Sequence, residues 1–425
     1  MHRTRYQQLL NKLIPTNHIS PISKLRQPSA IRALQPFLSQ EGMISLGGGM
    51  PNPETFPIQS MQFTLSDPSS TVVQISPSET KAALQYSSTR GLPALHSHLT
   101  ALQQHVHAPP APFELLITNG SQDALGKAFE MLLSPGDSLL VETPTYSGSL
   151  AFLDPLPVTL LPVETDELGL IPSSLSKVLD SFDSPNPPPH KKPQTLYTIP
   201  TGSNPSGGSL TTERKKEIYS IASKHDLVIL EDDPYYYLNF NETLPPSFFS
   251  ADIDGRVIRF DSMSKIISAG LRVGFATGPP ELIERMELHH QATLLHASGV
   301  SQAIVAKLFD EFGGVSGFLT HCESVTKFYK HRRDVFMTAV KTHLAGLVVM
   351  KPPSAGMFAW MRVLNIDDSA ELVMNKSVGK NVLMVPGESF IPTSGKSAFV
   401  RCSYSTASEE EIDTALKRFG DLLRE

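Results

Sequence analysis

A chain of 425 residues is too long for one ordinary core, so its length predicts two domains. Hydrophobic residues at 40% and charged residues at 18% are those of a globular protein, and a net charge of −6 gives no pull toward nucleic acid or anionic membrane. Cys322 and Cys402 lie far apart, with no CxxC and no His–Cys spacing, which speaks against a structural metal and for a reducing compartment; no apolar run reaches the roughly 18 residues of a membrane span.

The first 40 residues carry six Lys/Arg and no acid, as in a mitochondrial transit sequence. Pro15, Pro21 and Pro28 interrupt any long amphipathic helix there, so a basic arm packed on the protein is the competing reading. Farther on, short apolar runs apt for buried strands follow one another: FELLIT (113–118), SLLVE (138–142), VTLLPV (158–163), TLYTI (195–199), LVILE (227–231), RVIRF (256–260) and RVGFAT (272–277). Helix-length segments such as 121–133 and 211–225 lie between many of them, and this alternation predicts an α/β layered sheet. The segment DSPNPPPHKKPQ (183–194) predicts a surface loop. From about 300 the pattern shifts to longer helices, and Ser408 with Glu411 predicts a capping box before a last helix with Ile412, Leu416 and Phe419 on one face. The expected division is an N-terminal arm over 1–46 that joins a small domain, a large domain over 47–295, and a smaller α+β domain over 296–425.

Two cations, Lys265 and Arg272, stand in FDSMSKIISAGLRVGFATG (260–278), a stretch that otherwise reads as core. A lysine just past a strand end is ordinarily a surface residue, but one shielded from water has a lowered pKa, and a neutral amine attacks aldehydes. Ser262, Ser264 and Arg272 beside it form the donor set of a phosphate site. An aldehyde that also carries a phosphate is pyridoxal phosphate. That cofactor needs an acid facing its ring nitrogen, and EDD (231–233) sits at the end of an apolar run, where α/β sheets place ligands. Its phosphate would meet a helix N-terminus, which LITNGSQDALGKAFE (116–130) supplies near Ser121 and Gln122. Tyr146 and Asn204 follow two further strands, and Tyr235 lies three residues past Asp232. Each feature alone also fits a plain turn; five of them after five strands, each with its own role, do not.

The motifs resemble those of fold-type I pyridoxal-phosphate enzymes, the class I/II aminotransferases. Within these they are similar to kynurenine/2-aminoadipate aminotransferases and fungal aromatic aminotransferases. The wording that carries the likeness is QPSAIR (27–32), MISLGGGMPNPETFP (43–57), ALQYSSTRGLPAL (83–95), LTTERKKEIY (210–219), EDDPYYYL (231–238), DGRVIRFDSMSKIISAGLRVGF (254–275) and SAGMFAWM (354–361). The resemblance implies a large domain with a mostly parallel seven-stranded sheet between helices, plus a smaller α+β domain. It implies Lys265 as the lysine bonded to the cofactor and Asp232 as partner of the ring nitrogen. Asn204 and Tyr235 would hold the ring oxygen and Tyr146 would stack on the ring. Ser121, Gln122, Ser262, Ser264 and Arg272 would surround the phosphate. Tyr86 would reach the neighbouring subunit's site in a homodimer. Arg401 would clamp the substrate α-carboxylate, Arg32 its distal end, and Gly49 would contact substrate through its backbone. Two departures stand out: the loop reads Asn-Pro-Ser-Gly where Thr is commoner in third place, and Asp123 is unfavourable near a phosphate unless it points away.

The resemblance further implies transfer of an amino group from an aromatic amino acid, kynurenine or 2-aminoadipate to 2-oxoglutarate in a ping-pong exchange, in cytosol or mitochondrial matrix. A β-lyase acting on cysteine conjugates is one rival. A non-catalytic sensor fused to a DNA-binding module is another; it is disfavoured because only about 45 residues precede the enzyme-like region, with no helix-turn-helix pattern.

Overall fold

A computed structural model of the chain describes residues 16–30, 37, 40–44, 46–47 and 49–425. The chain divides into two compact units. One holds the described residues up to Leu132 together with Asp252–His321; the other holds Leu133–Ala251 together with Cys322–Glu425.

In the first unit, strand Gly274–Gly278 lies antiparallel between Glu114–Thr118 and Val257–Ser262, with Gly274 opposite both Thr118 and Ser262. The latter two strands are buried almost throughout, as the continuous apolar runs predict. Helix Ser121–Leu132 packs on this sheet because Ala124, Leu125, Ala128, Phe129 and Leu132 recur at helical spacing and are all buried. Helix Pro280–Thr293 packs on it as well. An unpredicted hairpin pairs Met61–Thr64 with Val72–Ile75, Met61 opposite Ile75. Val73 and Ile75 are buried while Val72 and Gln74 are exposed, and the inner face packs with Ala83 and Ala303.

In the second unit, four parallel strands run in the order Val228–Asp232, Thr195–Thr198, Ser138–Thr143, Thr159–Asp166. The two-residue strand Gly169–Leu170, also unpredicted, folds back antiparallel on the last. The predicted helix of 211–225 spans Thr212–Lys224, with Thr211 accepting from the Arg214 amide as its cap. Parallel pairing aligns the strands' C-terminal ends, so the segments after Thr143, Thr198 and Asp232, which carry Tyr146, Asn204 and Tyr235, leave the sheet at one edge. The Pro-rich segment forms no helix or strand beyond Asp183. A second sheet, antiparallel, has the order Val348–Val349, Phe358–Val363, Phe399–Ser403, Val385–Pro386. Helix Glu409–Arg424 begins with the predicted Ser408–Glu411 capping box and buries Ile412, Leu416 and Phe419.

Candidate active site

The first unit builds a cradle around Arg272. Strand Glu114–Thr118 ends, the chain turns at Gly120 with φ +87°, and the helix begins at Ser121. A Cβ on Gly120 would lie 2.3 Å from Arg272 Nη2, and one on Gly274 would lie 2.5 Å from the Ser121 amide nitrogen. Both positions therefore need glycine, and the backbone of the helix start lies close to the guanidinium. Arg272 Nη1 donates to Ser264 Oγ at 3.5 Å and to the Ala269 carbonyl at 3.3 Å, and Nη2 donates to the Asn119 carbonyl at 3.3 Å. Ser262 Oγ accepts from the Ser264 amide at 3.2 Å. Among the described residues no carboxylate pairs with Arg272. Its φ of +53° is the left-handed region, where a non-glycine residue is held under strain.

Lys265 ends the short 3-10 turn Met263–Lys265 of the same unit. Burial, and then the nearby Arg272 charge, push its pKa below the usual lysine value. The sequence suggested two buried cations; the structure corrects this for Arg272, which is exposed while Lys265 is half-buried. The physical reason is local: Ala269 and Gly270, themselves exposed, are too small to cover it.

Asp123 is engaged by neighbours at the helix start and along the helix. It forms an ion pair with Lys127, lies 3.5 Å from His290 Nδ1, and accepts from the Asn119 amide at 3.1 Å. Burial, foremost, holds His290 down at about 4. Gln122 is half-buried in the first turn of the helix. Tyr86 is half-exposed, its ring edge-on to His296 with centroids 6.1 Å apart. Gly49 is exposed, and a Cβ there would meet nothing within 4 Å. Arg32 lies outside the described residues.

The second unit gathers Tyr146, Asn204, Asp232, Tyr235 and Arg401. Asp232 is 3% exposed and accepts from Tyr197 Oη at 2.8 Å, while Tyr197 accepts from Ser149 Oγ at 2.9 Å. Arg401 stands on strand Phe399–Ser403 opposite Trp360, and its Nη1 donates to Asn204 Oδ1 at 3.0 Å. Its guanidinium carbon lies 4.4 Å from the Phe358 ring centroid and 5.0 Å from that of Phe390. Such rings favour a cation on their faces and fix its plane. Arg401 Nε is buried with no hydrogen-bond partner among the described residues, and burial lowers the group's pKa. A desolvated guanidinium with open donors fits a carboxylate ligand.

Tyr235 is buried edge-on to Phe358, and burial, followed by the Asp232 charge, pushes its phenol well up. Tyr146 caps helix Ser147–Leu153 and lies close enough to act electrostatically on both Tyr235 and Arg401.

Sequence reasoning missed five contributors here. Tyr197 and Ser149 hold Asp232, and Phe358 and Phe390 frame Arg401. Glu142 is a fifth: 2% exposed, it accepts from Thr198 Oγ1 at 2.5 Å, from the Ile199 amide at 3.2 Å and from Ser203 Oγ at 3.5 Å. Burial above all pushes its carboxyl up to about 7. A tyrosine inside the aliphatic run TLYTI was the one available signal, since a buried phenol needs a polar partner.

The family profile described as aminotransferase class I and II matches residues 63–419. The kynurenine/alpha-aminoadipate aminotransferase of Bos taurus, named as mitochondrial, is 43% identical over 421 residues, covering 96% of this chain and 98% of that protein. An aromatic amino acid aminotransferase of Schizosaccharomyces pombe is 33% identical over 463 aligned positions, covering 96% and 97%. Among solved structures, the aminotransferase Aro8 of Candida albicans matches with a TM-score of 0.87 at 29% identity, over 96% of this chain and 98% of that one. These likenesses run through both groups of residues, with the cradle around Arg272 and the acid, amide and guanidinium around Asp232 inside the matched span: the chain belongs to the class I and II aminotransferases.

Proposed function

We propose that this protein transfers the amino group of kynurenine, 2-aminoadipate or an aromatic amino acid to 2-oxoglutarate. The substrates named for the bovine and fission-yeast relatives support the donor classes. Pyridoxal phosphate is the cofactor. The observation that carries the reading is the Arg272 cradle: a guanidinium without a carboxylate partner among the described residues, beside a helix N-terminus and a lysine whose ammonium form is disfavoured. That donor set fits a phosphate, and the amine fits an aldehyde.

When bound, the cofactor supplies an aldehyde that takes up the amino group and a ring that accepts the electron pair left at the substrate α-carbon. Ser121, Gln122, Ser262, Ser264 and Arg272 bind the phosphate. Lys265 Nζ, its ammonium form disfavoured by burial, would bond the cofactor at rest and, once freed, would take and return the α-carbon proton. Asp232 would keep the ring nitrogen protonated, Asn204 and Tyr235 would donate to the ring oxygen, and Tyr146 would stack on the ring. Arg401 forks onto the α-carboxylate, Gly49 contacts substrate through its backbone, and Arg32 reads the distal end. Tyr86 serves the site of a partner subunit in a homodimer. Along the chain we propose an arm over 1–46, a cofactor-binding domain over 47–295 and a C-terminal domain over 296–425. The basic, acid-free first 40 residues and the bovine relative's name favour the mitochondrial matrix, with cytosol as the alternative.

The test is a steady-state screen of amino donors with 2-oxoglutarate as acceptor. Kynurenine, 2-aminoadipate or an aromatic amino acid should lead it; absence of transfer from all of them removes the reading. For the dimer, sedimentation of the active enzyme with Tyr86→Phe alongside should show two chains and weaker cofactor retention in the variant. A fully active monomer contradicts it.

A further inference from the structure

Tyr197 belongs to none of the roles above, yet its phenol bonds the acid on which they depend. It sits in Thr195–Thr198, a strand whose four residues are all buried. Its hydroxyl donates to Asp232 Oδ2 at 2.8 Å and accepts from Ser149 Oγ at 2.9 Å. Both Tyr197 and Ser149 are 0% exposed. A phenylalanine ring would fill the same volume without bringing a hydroxyl into the interior, where an unmade hydrogen bond is costly. The direction of the chain is fixed as well. Because Ser149 donates to the phenol oxygen, the one Tyr197 proton is aimed at Asp232, and a donor to a carboxylate favours its charged form. Burial and the Asp232 charge raise the Tyr197 pKa, so the phenol keeps that proton.

We propose that Ser149 and Tyr197 form a positioning relay that fixes the orientation and negative charge of Asp232 and so sets the proton affinity of the ring nitrogen it faces. This rests on the reading of Asp232 as the ring-nitrogen partner. The relay ties that acid to helix Ser147–Leu153, the helix that Tyr146 caps, so one hydrogen-bonded chain registers the acid with the aromatic assigned to the ring face.

The experiment compares holoenzyme carrying Tyr197→Phe, Ser149→Ala or Asp232→Asn, reading the absorbance of bound cofactor against pH, cofactor Kd, and kcat and KM separately. Tyr197→Phe should lower kcat by about tenfold while the donor KM stays within about twofold. It should also move the spectral midpoint upward, because a carboxylate that has lost a donor concentrates its charge on neighbouring cations. Ser149→Ala should do the same to a smaller extent, and it carries the test if the phenylalanine variant fails to fold. Tyr197→Phe with the wild-type midpoint and kcat, beside a crippled Asp232→Asn, overturns the relay and leaves the Asp232 reading intact. A fall in kcat with an unmoved midpoint also overturns it, leaving Tyr197 a packing role. An Asp232→Asn enzyme with wild-type spectrum and kcat would instead refute the underlying reading.

Discussion

The two units hold their chemistry by opposite means. In the first, the strong cation Arg272 is exposed, and its hydrogen bonds run mostly to backbone carbonyls at 3.3 Å, with Ser264 Oγ at 3.5 Å. Shape comes from glycines and a helix start, and among the described residues no carboxylate pairs with the charge. In the second, Asp232, Asn204 and Tyr235 are buried and the side chains support one another: Tyr197 donates to Asp232, Arg401 donates to Asn204, and the Phe358 and Phe390 rings lie against Arg401. A site for a tightly charged phosphate can rely on its ligand to complete the electrostatics. A group that must keep one protonation state through a reaction needs its partners built in beforehand.

The largest expected effect falls on the first unit. Lys265→Ala should lower turnover by about 10²–10⁴-fold or more, the usual scale for removing a general acid–base. It should also abolish the absorbance of lysine-bound cofactor. Full transamination by this variant would dissolve the contrast, since the cradle would then carry no chemistry.

Next comes the contrast between the two arginines. Arg401→Lys should cost about 2–3 kcal/mol in kcat/KM, by similar factors for every donor and acceptor, because all carry the α-carboxylate and lysine lacks the fork. Arg272→Lys should weaken cofactor retention, and excess cofactor should restore its kcat by mass action. Arg32→Ala should hurt 2-aminoadipate and 2-oxoglutarate more than phenylalanine. A selective Arg401→Lys with a uniform Arg32→Ala would exchange their roles.

The buried carboxyl of Glu142 sharpens the comparison through pH. Its folded pKa of about 7 lies above the ordinary 4.5, so the folded protein holds this proton more tightly than the unfolded chain. The associated stability is whole below the ordinary value and is lost as pH rises through about 7. Glu142→Gln lacks that proton, so wild-type stability relative to the variant should fall by on the order of 2–3 kcal/mol between about pH 5 and pH 8. Melting curves of both proteins across that range decide it; a constant gap would mean that Glu142 ionises freely.

The smallest effect is expected at Gly120. Alanine in that left-handed turn should cost about 1 kcal/mol and crowd Arg272, raising the cofactor Kd while leaving the substrate KM unchanged. Equal losses in both would place the turn outside the phosphate cradle.

Much of this architecture was legible beforehand, for identifiable reasons. Seven apolar runs became seven strands, and six of them are buried almost throughout, because strands covered on both faces read as unbroken hydrophobic stretches; Thr159–Asp166 is the more exposed seventh. The Met61–Thr64 and Val72–Ile75 hairpin escaped because its strands are four residues long and alternate in exposure. Asp123 looked ill-placed beside a phosphate, yet Lys127 stands four residues on, a spacing that pairs charges along a helix. Its second neighbour, His290, comes from another helix and left no such trace.

The sequence by itself determined the order of the motifs, the lysine and the acid, because those residues stand at or just past strand ends whatever surrounds them. Tertiary structure alone decided that Tyr197 would donate to Asp232, 35 residues away, and that Glu142 would accept from Thr198, 56 away. It also decided that Arg401 would lie over Phe358 and Phe390 while Arg272 stayed exposed. The physical reason is that parallel strands are joined through helices. The intervals between partners are then set by crossovers and loops rather than by a backbone period, and only the register of the finished sheet brings a donor to its acceptor.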